Sequence, residues 1–182
     1  MPTKRKTWRE KLADDKDLPK VIQLDAAAAK RWGGRTMVIP APREVDAVIR
    51  TIRKGRTATI NDLRAVLAKK HGTEAACPIT TGIFSLIAAH AAMEDEAAGK
   101  KRITPWWRVL KSDGKLNPKF PGGIEEQAKR LAVEGVTVPA KAPLSHKPEA
   151  SQPLAGGRGA ERRHPGSGAR SASHRNAMPS PI

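Results

Sequence analysis

Two consecutive runs of helical periodicity, separated by a turn of a few residues, limit what this chain can fold into more than any other feature. In "PREVDAVIRTIRKG" the apolar residues Val45, Val48, Ile49 and Ile52 fall at i, i+3, i+4 and i+7, which is one face of a helix. Pro42 suits the first turn of that helix and Gly55 stops it. In "TINDLRAVLAKKHG" Thr59 stands as N-cap with Asp62 three residues on, the spacing of a capping box. Ile60, Leu63, Val66 and Leu67 continue the apolar stripe until Gly72. Two short helices joined by a tight turn predict a helix-turn-helix.

A third helix should start at Pro78, with Cys77 beside its N-cap, and run to about Ala98. Its expected buried side is Ile79, Ile83, Leu86, Ile87 and His90. "RVLKSDGKL" then carries Asp113-Gly114 between short apolar segments, a hairpin or tight-turn pattern. After "PGG" at 121–123 a last helix, "IEEQAKRLAVEG", places Ile124, Ala128, Leu131 and Ala132 on one face and ends at Gly135. The expected fold is mainly α and winged-helix-like: helix-turn-helix, third helix, small hairpin, last helix. No internal repeat is present.

Charge narrows the partner. The chain carries 34 Lys+Arg against 18 Asp+Glu, a formal charge of +16 over 182 residues. An excess of that size points to a polyanion, and to nucleic acid first, with the third helix as the natural major-groove element. The single cysteine rules out an intramolecular disulfide and a cysteine-rich zinc site. No apolar run approaches the length of a membrane span, and "MPTKRKTWREK" lacks the apolar centre of a signal peptide. The expectation is a cytoplasmic, nucleoid-associated monomer without a cofactor.

Four segments follow from composition. Residues 1–6 form a basic tail and 7–36 an N-terminal extension that packs on the core. Residues 37–138 are the patterned domain, and 139–182 a Pro/Gly/Ser-rich tail. The last 44 residues hold seven Lys/Arg and two Glu with almost no large apolar side chains, so burial cannot offset their ordering entropy. A disordered cationic arm and a merely tolerated extension both fit.

The stretch "ITPWWRVL" at 103–110 is the densest aromatic point in a chain with four Trp, two Phe and no Tyr. The segment "TPWWRVLKSDGKLNPKFPGGIEEQAKRLAVEGV" resembles the active-site segment of the methylated-DNA–protein-cysteine methyltransferases, with its Pro-Cys-His-Arg-Val motif, Tyr-x-Gly-Gly and helix ending in Glu-Gly. Pro105, Arg108, Val109, Gly122, Gly123, Glu134 and Gly135 match. "IPAPREVDAVIRTIRKGRTATINDLRAVLAKKHG" resembles the family's helix-turn-helix segment, so the resemblance covers about residues 37–136. Trp106 stands where the family has its alkyl-accepting cysteine, and Trp107 where it has the histidine that helps activate it. A Trp at the cysteine position resembles the alkyltransferase-like proteins, which bind O6-alkylguanine without repairing it and flag it for nucleotide excision repair. Further departures are Ile60 for a Tyr, Cys77 for an arginine finger, Phe120 before Pro121 for the Tyr, and about a dozen extra residues around "AAMEDEAAGKKR".

The resemblance implies a lesion pocket built from Trp106, Trp107, Arg108, Phe120, Gly122, Gly123 and Glu134, and no catalytic residue. An indole face stacks well on an extruded base; equally, two tryptophans can fill a core, and Arg108 can pair with Glu134. The expected DNA contacts are Arg50, Arg53, Lys54, Arg56, Thr59, Arg64, Cys77, Thr80 and Thr81, of which Thr59 also serves as a cap. Lys111, Lys115 and Lys119 either touch phosphates or form a solvated face. Without thiolate and base, methyl transfer has no nucleophile at position 106. The leading expectation is a non-catalytic binder of double-stranded DNA carrying O6-alkylguanine, linked to nucleotide excision repair factors. Two alternatives stand beside it: alkyl transfer to Cys77, at a helix N-terminus that can lower a thiol pKa, and a generic winged-helix DNA binder.

Overall fold

Most of the helices start at a side-chain cap or at a proline ring. The computed structural model describes residues 5–138, all in one compact unit; the expected tail at 139–182 and most of the basic tail at 1–6 lie outside the described residues. Helix α1 (Trp8–Ala13) is opened by a Thr7–Glu10 capping box. Strand β1 (Lys20–Gln23) and helix α2 (Ala26–Trp32) follow, α2 capped by Asp25 and closed by Gly33 at φ 83°. Strand β2 (Thr36–Ile39) leads into α3 (Pro42–Arg50), with Pro42 in its first turn. Strand β3 (Ala58–Thr59) runs straight into α4 (Ile60–Lys70), where Thr59 and Asp62 form the capping box expected from their spacing.

Strand β4 (Ala75–Ala76) precedes the long helix α5 (Pro78–Ala97), for which Cys77 is the N-cap residue. A 3₁₀ turn at Trp106–Arg108 enters β5 (Val109–Leu110), and α6 (Gly123–Val133) ends the described fold. The N-cap of α6 is Gly122 at φ 70°, where an added Cβ would lie 2.5 Å from that of Glu126, so only glycine fits.

Two small sheets hold the helices. One has the order β1-β2-β4, with β1 antiparallel and β4 parallel to β2. The other is a two-residue parallel pairing of β3 with β5, Ala58 opposite Val109 and Thr59 opposite Leu110. The Asp113-Gly114 segment forms the tight turn, closed by Lys111 N–H to Lys115 C=O at 2.9 Å, with β5 before it but no strand directly after it. The short apolar segment before that turn is drawn into long-range pairing with β3, so no hairpin ladder forms among the described residues.

The core is built on Val45 and Ile49 of α3, Leu63 and Leu67 of α4, Val38, Val109, Trp106 and Phe120. Three expected faces are corrected. Helix α5 buries Thr81, Ser85, Ala88 and Ala92 and leaves Ile79 and Ile83 exposed. Small residues let it lie close to α1 and α3, and the two hydroxyls are satisfied by donating one turn back, Thr81 to Cys77 C=O and Ser85 to Thr81 C=O. Helix α6 buries Gln127 and Leu131 and exposes Ile124, Ala128 and Ala132. On α4, Val66 is exposed and Ala68 takes its place inside.

The C-terminal half of α5 holds the N-terminal segment: Glu94 accepts the backbone N–H of Trp8 and Arg9, and Trp8 stacks on His90 at 4.4 Å. The N-terminal extension thereby docks on the core through α1.

Candidate nucleic-acid interface and the tryptophan turn

The segment from Thr104 to Leu110 is fastened at each step. The buried Thr104 hydroxyl donates to Asp46 at 2.5 Å, and Trp106 N–H donates to Thr104 C=O at 2.8 Å. Gln127, fully buried, donates from Nε2 to the carbonyls of Trp107 and Val109 and accepts Asn117 N–H at 2.7 Å. One amide thus joins the tryptophan turn to the 111–119 loop.

Trp106 is 0% exposed. It meets Phe120 and Trp107 edge to face, with ring centroids 5.6 and 5.9 Å away, and the Arg130 guanidinium sits 5.5 Å from its ring. Its indole N–H is buried without a hydrogen-bond partner among the described residues. Trp106 and Phe120 are therefore packed into the core of the described residues, where the indole fills volume at the density of a protein interior.

Glu134 gathers the rest. Its carboxylate accepts Trp107 Nε1–H at 2.8 Å, Arg108 Nε–H at 2.9 Å and Nη2–H at 2.8 Å, and Gly55 N–H at 3.1 Å. Arg108 also donates to Ile52 C=O at 2.6 Å. Burial opposes charge on Glu134, but the Arg108 bond, then those from Gly55 and Trp107, outweigh it and hold the carboxyl below its ordinary range. Arg108 is an internal brace, matching the ion-pair alternative. The second tryptophan has a definite use as the donor that keeps Glu134 fixed from the turn side.

The expected DNA-contacting residues divide. Thr59 is occupied in its capping box, and Thr81 is buried with its hydroxyl bonded to Cys77 C=O. Arg50 pairs with Asp46 at 2.7 Å; Arg64 holds Ala76 C=O and Asn61. Cys77 is half-buried, with its N–H on Val38 C=O, and Thr80 is half-buried with only a 3.5 Å contact to Cys77 C=O. Arg53, Lys54 and Arg56 are exposed, in the loop leading to β3. Gly122 is exposed and Gly123 half-buried, at the start of α6.

A cleft of about 340 Å³ lies between α5 and the 111–119 loop, lined by Ile79, Ile83, Leu86, Lys111, Asn117 and Lys119. Of the three lysines in that loop, Lys111 and Lys115 share Asp113 at 3.3 and 3.4 Å. Sequence reasoning assigned Ile79 and Ile83 to the core and did not single out Gln127, Asp46 or Arg130. The i, i+4 spacing of Gln127 and Leu131 was the available pointer for the first.

The family model described as "6-O-methylguanine DNA methyltransferase, DNA binding domain" matches residues 40–136, more than half of the chain. The chain belongs to this family. It carries the family's DNA-binding domain, and DNA is the partner that domain implies. No curated protein and no solved structure matches it.

Proposed function

We propose that this protein binds duplex DNA without transferring an alkyl group, and that it belongs with the alkyltransferase-like members lacking the acceptor cysteine. The observation that carries the reading is Trp106: at the position of the family's nucleophile stands a fully buried indole, whose nitrogen lone pair is delocalised in the ring and cannot serve as a thiolate does in attacking an alkyl carbon. Position 107, where an activating base would sit, holds an indole donor committed to Glu134. The helices and the β3–β5 pair, with the 111–115 turn in place of a wing, serve as a winged-helix-like DNA-binding unit. Exposed Arg53, Lys54 and Arg56 and the lysine loop neutralise phosphates. The protein works in the cytoplasm as a monomer.

Because Trp106 and Phe120 fill the space between the turn and α6, the geometry favours duplex binding over capture of a flipped O6-alkylguanine. The test compares two otherwise identical duplexes, one with a single O6-methylguanine, at fixed near-physiological salt. Equal affinities are expected. A preference of about tenfold or more, about 1.4 kcal/mol, would mean that Trp106 leaves the core on DNA and that the lesion-sensing reading is right. Intact-mass measurement after the same incubation should find an unmodified chain; a methyl adduct on Cys77 would establish transfer.

A further inference from the structure

Helix α2 stands outside the matched residues 40–136 and buries none of its side chains. It is nevertheless fastened at both ends: Leu24 N–H donates to Arg35 C=O at 2.8 Å, and Glu74 accepts Arg35 N–H. Gly34 lies so close to Glu74 that an added Cβ would clash with it. These contacts hold Trp32, half-buried at the end of α2, beside α4. A recess of about 190 Å³ lies there, lined by Trp32, by Asn61 and Arg64 of α4, and by Glu74.

Arg64 is gripped by neutral acceptors, Ala76 C=O at 2.8 Å and Asn61 Oδ1 at 3.1 Å, so its charge is uncompensated. Among the described residues Arg64 Nη2, Asn61 Nδ2 and Glu74 Oε1 make no hydrogen bond. Further cations border the recess. Arg31 lies 4.8 Å from the Trp32 ring, Arg35 follows it, and Lys69 is one turn beyond Ala65, a lining residue, on the same face of α4. None of these pairs with a carboxylate among the described residues, whereas Arg9, Arg43, Lys70, Lys100 and Arg130 all do.

We propose that this recess seats one unpaired base of single-stranded DNA against Trp32, with the phosphates of that strand on Arg31, Arg35 and Lys69. An indole stacks on any base, and a cationic rim follows the backbone. A base edge carries donors and acceptors together, which suits one free carboxylate oxygen beside two free N–H donors. A phosphate alone has no donor for Glu74, and the stacked bases of an intact duplex present no face to a concave site. The site lies apart from the duplex-binding reading and does not depend on it.

The experiment uses the full chain and three hairpin duplexes: blunt, with a short single-stranded overhang, and with the same overhang made of abasic sugars, which keeps the phosphates. The base-bearing overhang should bind about tenfold tighter than the abasic one, the size of one stacked base, and should quench tryptophan emission. Trp32→Ala should abolish both the preference and the added quenching, leaving the affinity for the blunt hairpin unchanged. Trp32→Phe, which keeps a ring, should retain part of the preference, and Asn61→Ala, at an exposed position, should reduce it without touching the aromatic packing. Arg31→Ala with Arg35→Ala should weaken both overhangs alike and lower the salt dependence.

Equal affinity for the base-bearing and abasic overhangs, with the blunt hairpin still bound, would overturn the recess and leave the proposed function standing. A preference that survives in Trp32→Ala would also overturn it, by placing the base elsewhere. Base-dependent capture of the overhang with no affinity for the blunt hairpin would support the recess and overturn the duplex-binding reading instead.

Discussion

Replacing Trp106 by alanine should destabilise the fold far more than it alters any surface property. A tryptophan carries about 150–250 Å² of surface, and at about 25 cal/mol per Å² its burial contributes about 4–6 kcal/mol. Trp106 is fully buried, so the whole sum applies. One term opposes it: the unpartnered buried indole N–H costs about 1–2 kcal/mol, which the substitution removes. The net loss should be about 2–5 kcal/mol, overlapping the range for large aromatic-to-alanine changes. Trp106→Phe deletes the orphan N–H and keeps a ring against Phe120 and Trp107, so its loss should be less than half as large. Urea unfolding followed by far-UV circular dichroism reads both, unaffected by the other three tryptophans. If Trp106→Ala lost under about 1 kcal/mol, as an open binding surface would, the placement of Trp106 in the core would be refuted, and with it the argument against a base pocket.

Glu134→Gln should cost about 3 kcal/mol by leaving the partly buried Arg108 without its countercharge. The Glu134 carboxyl titrates lower folded than unfolded. Its contribution is therefore complete above the ordinary glutamate range and is lost as pH falls through the folded value; the variant should lack that acid-dependent part in urea titrations. His90 is held below its ordinary value of 6.5, first by burial and then by Lys11, with Glu94 opposing. Protonation then favours the undocked state, so wild-type stability should fall between pH 7.5 and pH 5.5, both values bracketing about 6.5, and His90→Phe, which still stacks on Trp8, should remove that fall. Arg53, Lys54 and Arg56 all changed to alanine should flatten the logarithmic salt dependence of DNA binding by up to about 2.7, about 0.9 per lost phosphate contact.

Local chemistry was readable and surroundings were not. Pro42, the Thr59–Asp62 pair and Pro78 announce helix starts because capping is decided within four residues. The Arg108–Glu134 pair could be anticipated because both ends lie in one motif. The orientation of α5 could not, since that helix is apolar around much of its circumference. Close packing chose its smallest side, Thr81, Ser85, Ala88 and Ala92, over its most hydrophobic. Gln127 reads as a surface residue until its three backbone partners, supplied by other segments, are known. The β3–β5 pairing joins residues some fifty positions apart and leaves no local periodicity.

Glu134 also bears on how much change the tryptophan turn tolerates at position 107. The carboxylate asks only for an N–H from residue 107, and an imidazole carries one as well as an indole does. Its other bonds, to Arg108 and Gly55, are indifferent to that choice. The turn is therefore held by bonds that do not depend on which ring stands at 107, and its other anchor is volume: a single ring at position 106, packed against Phe120, sets the spacing of the walls around it.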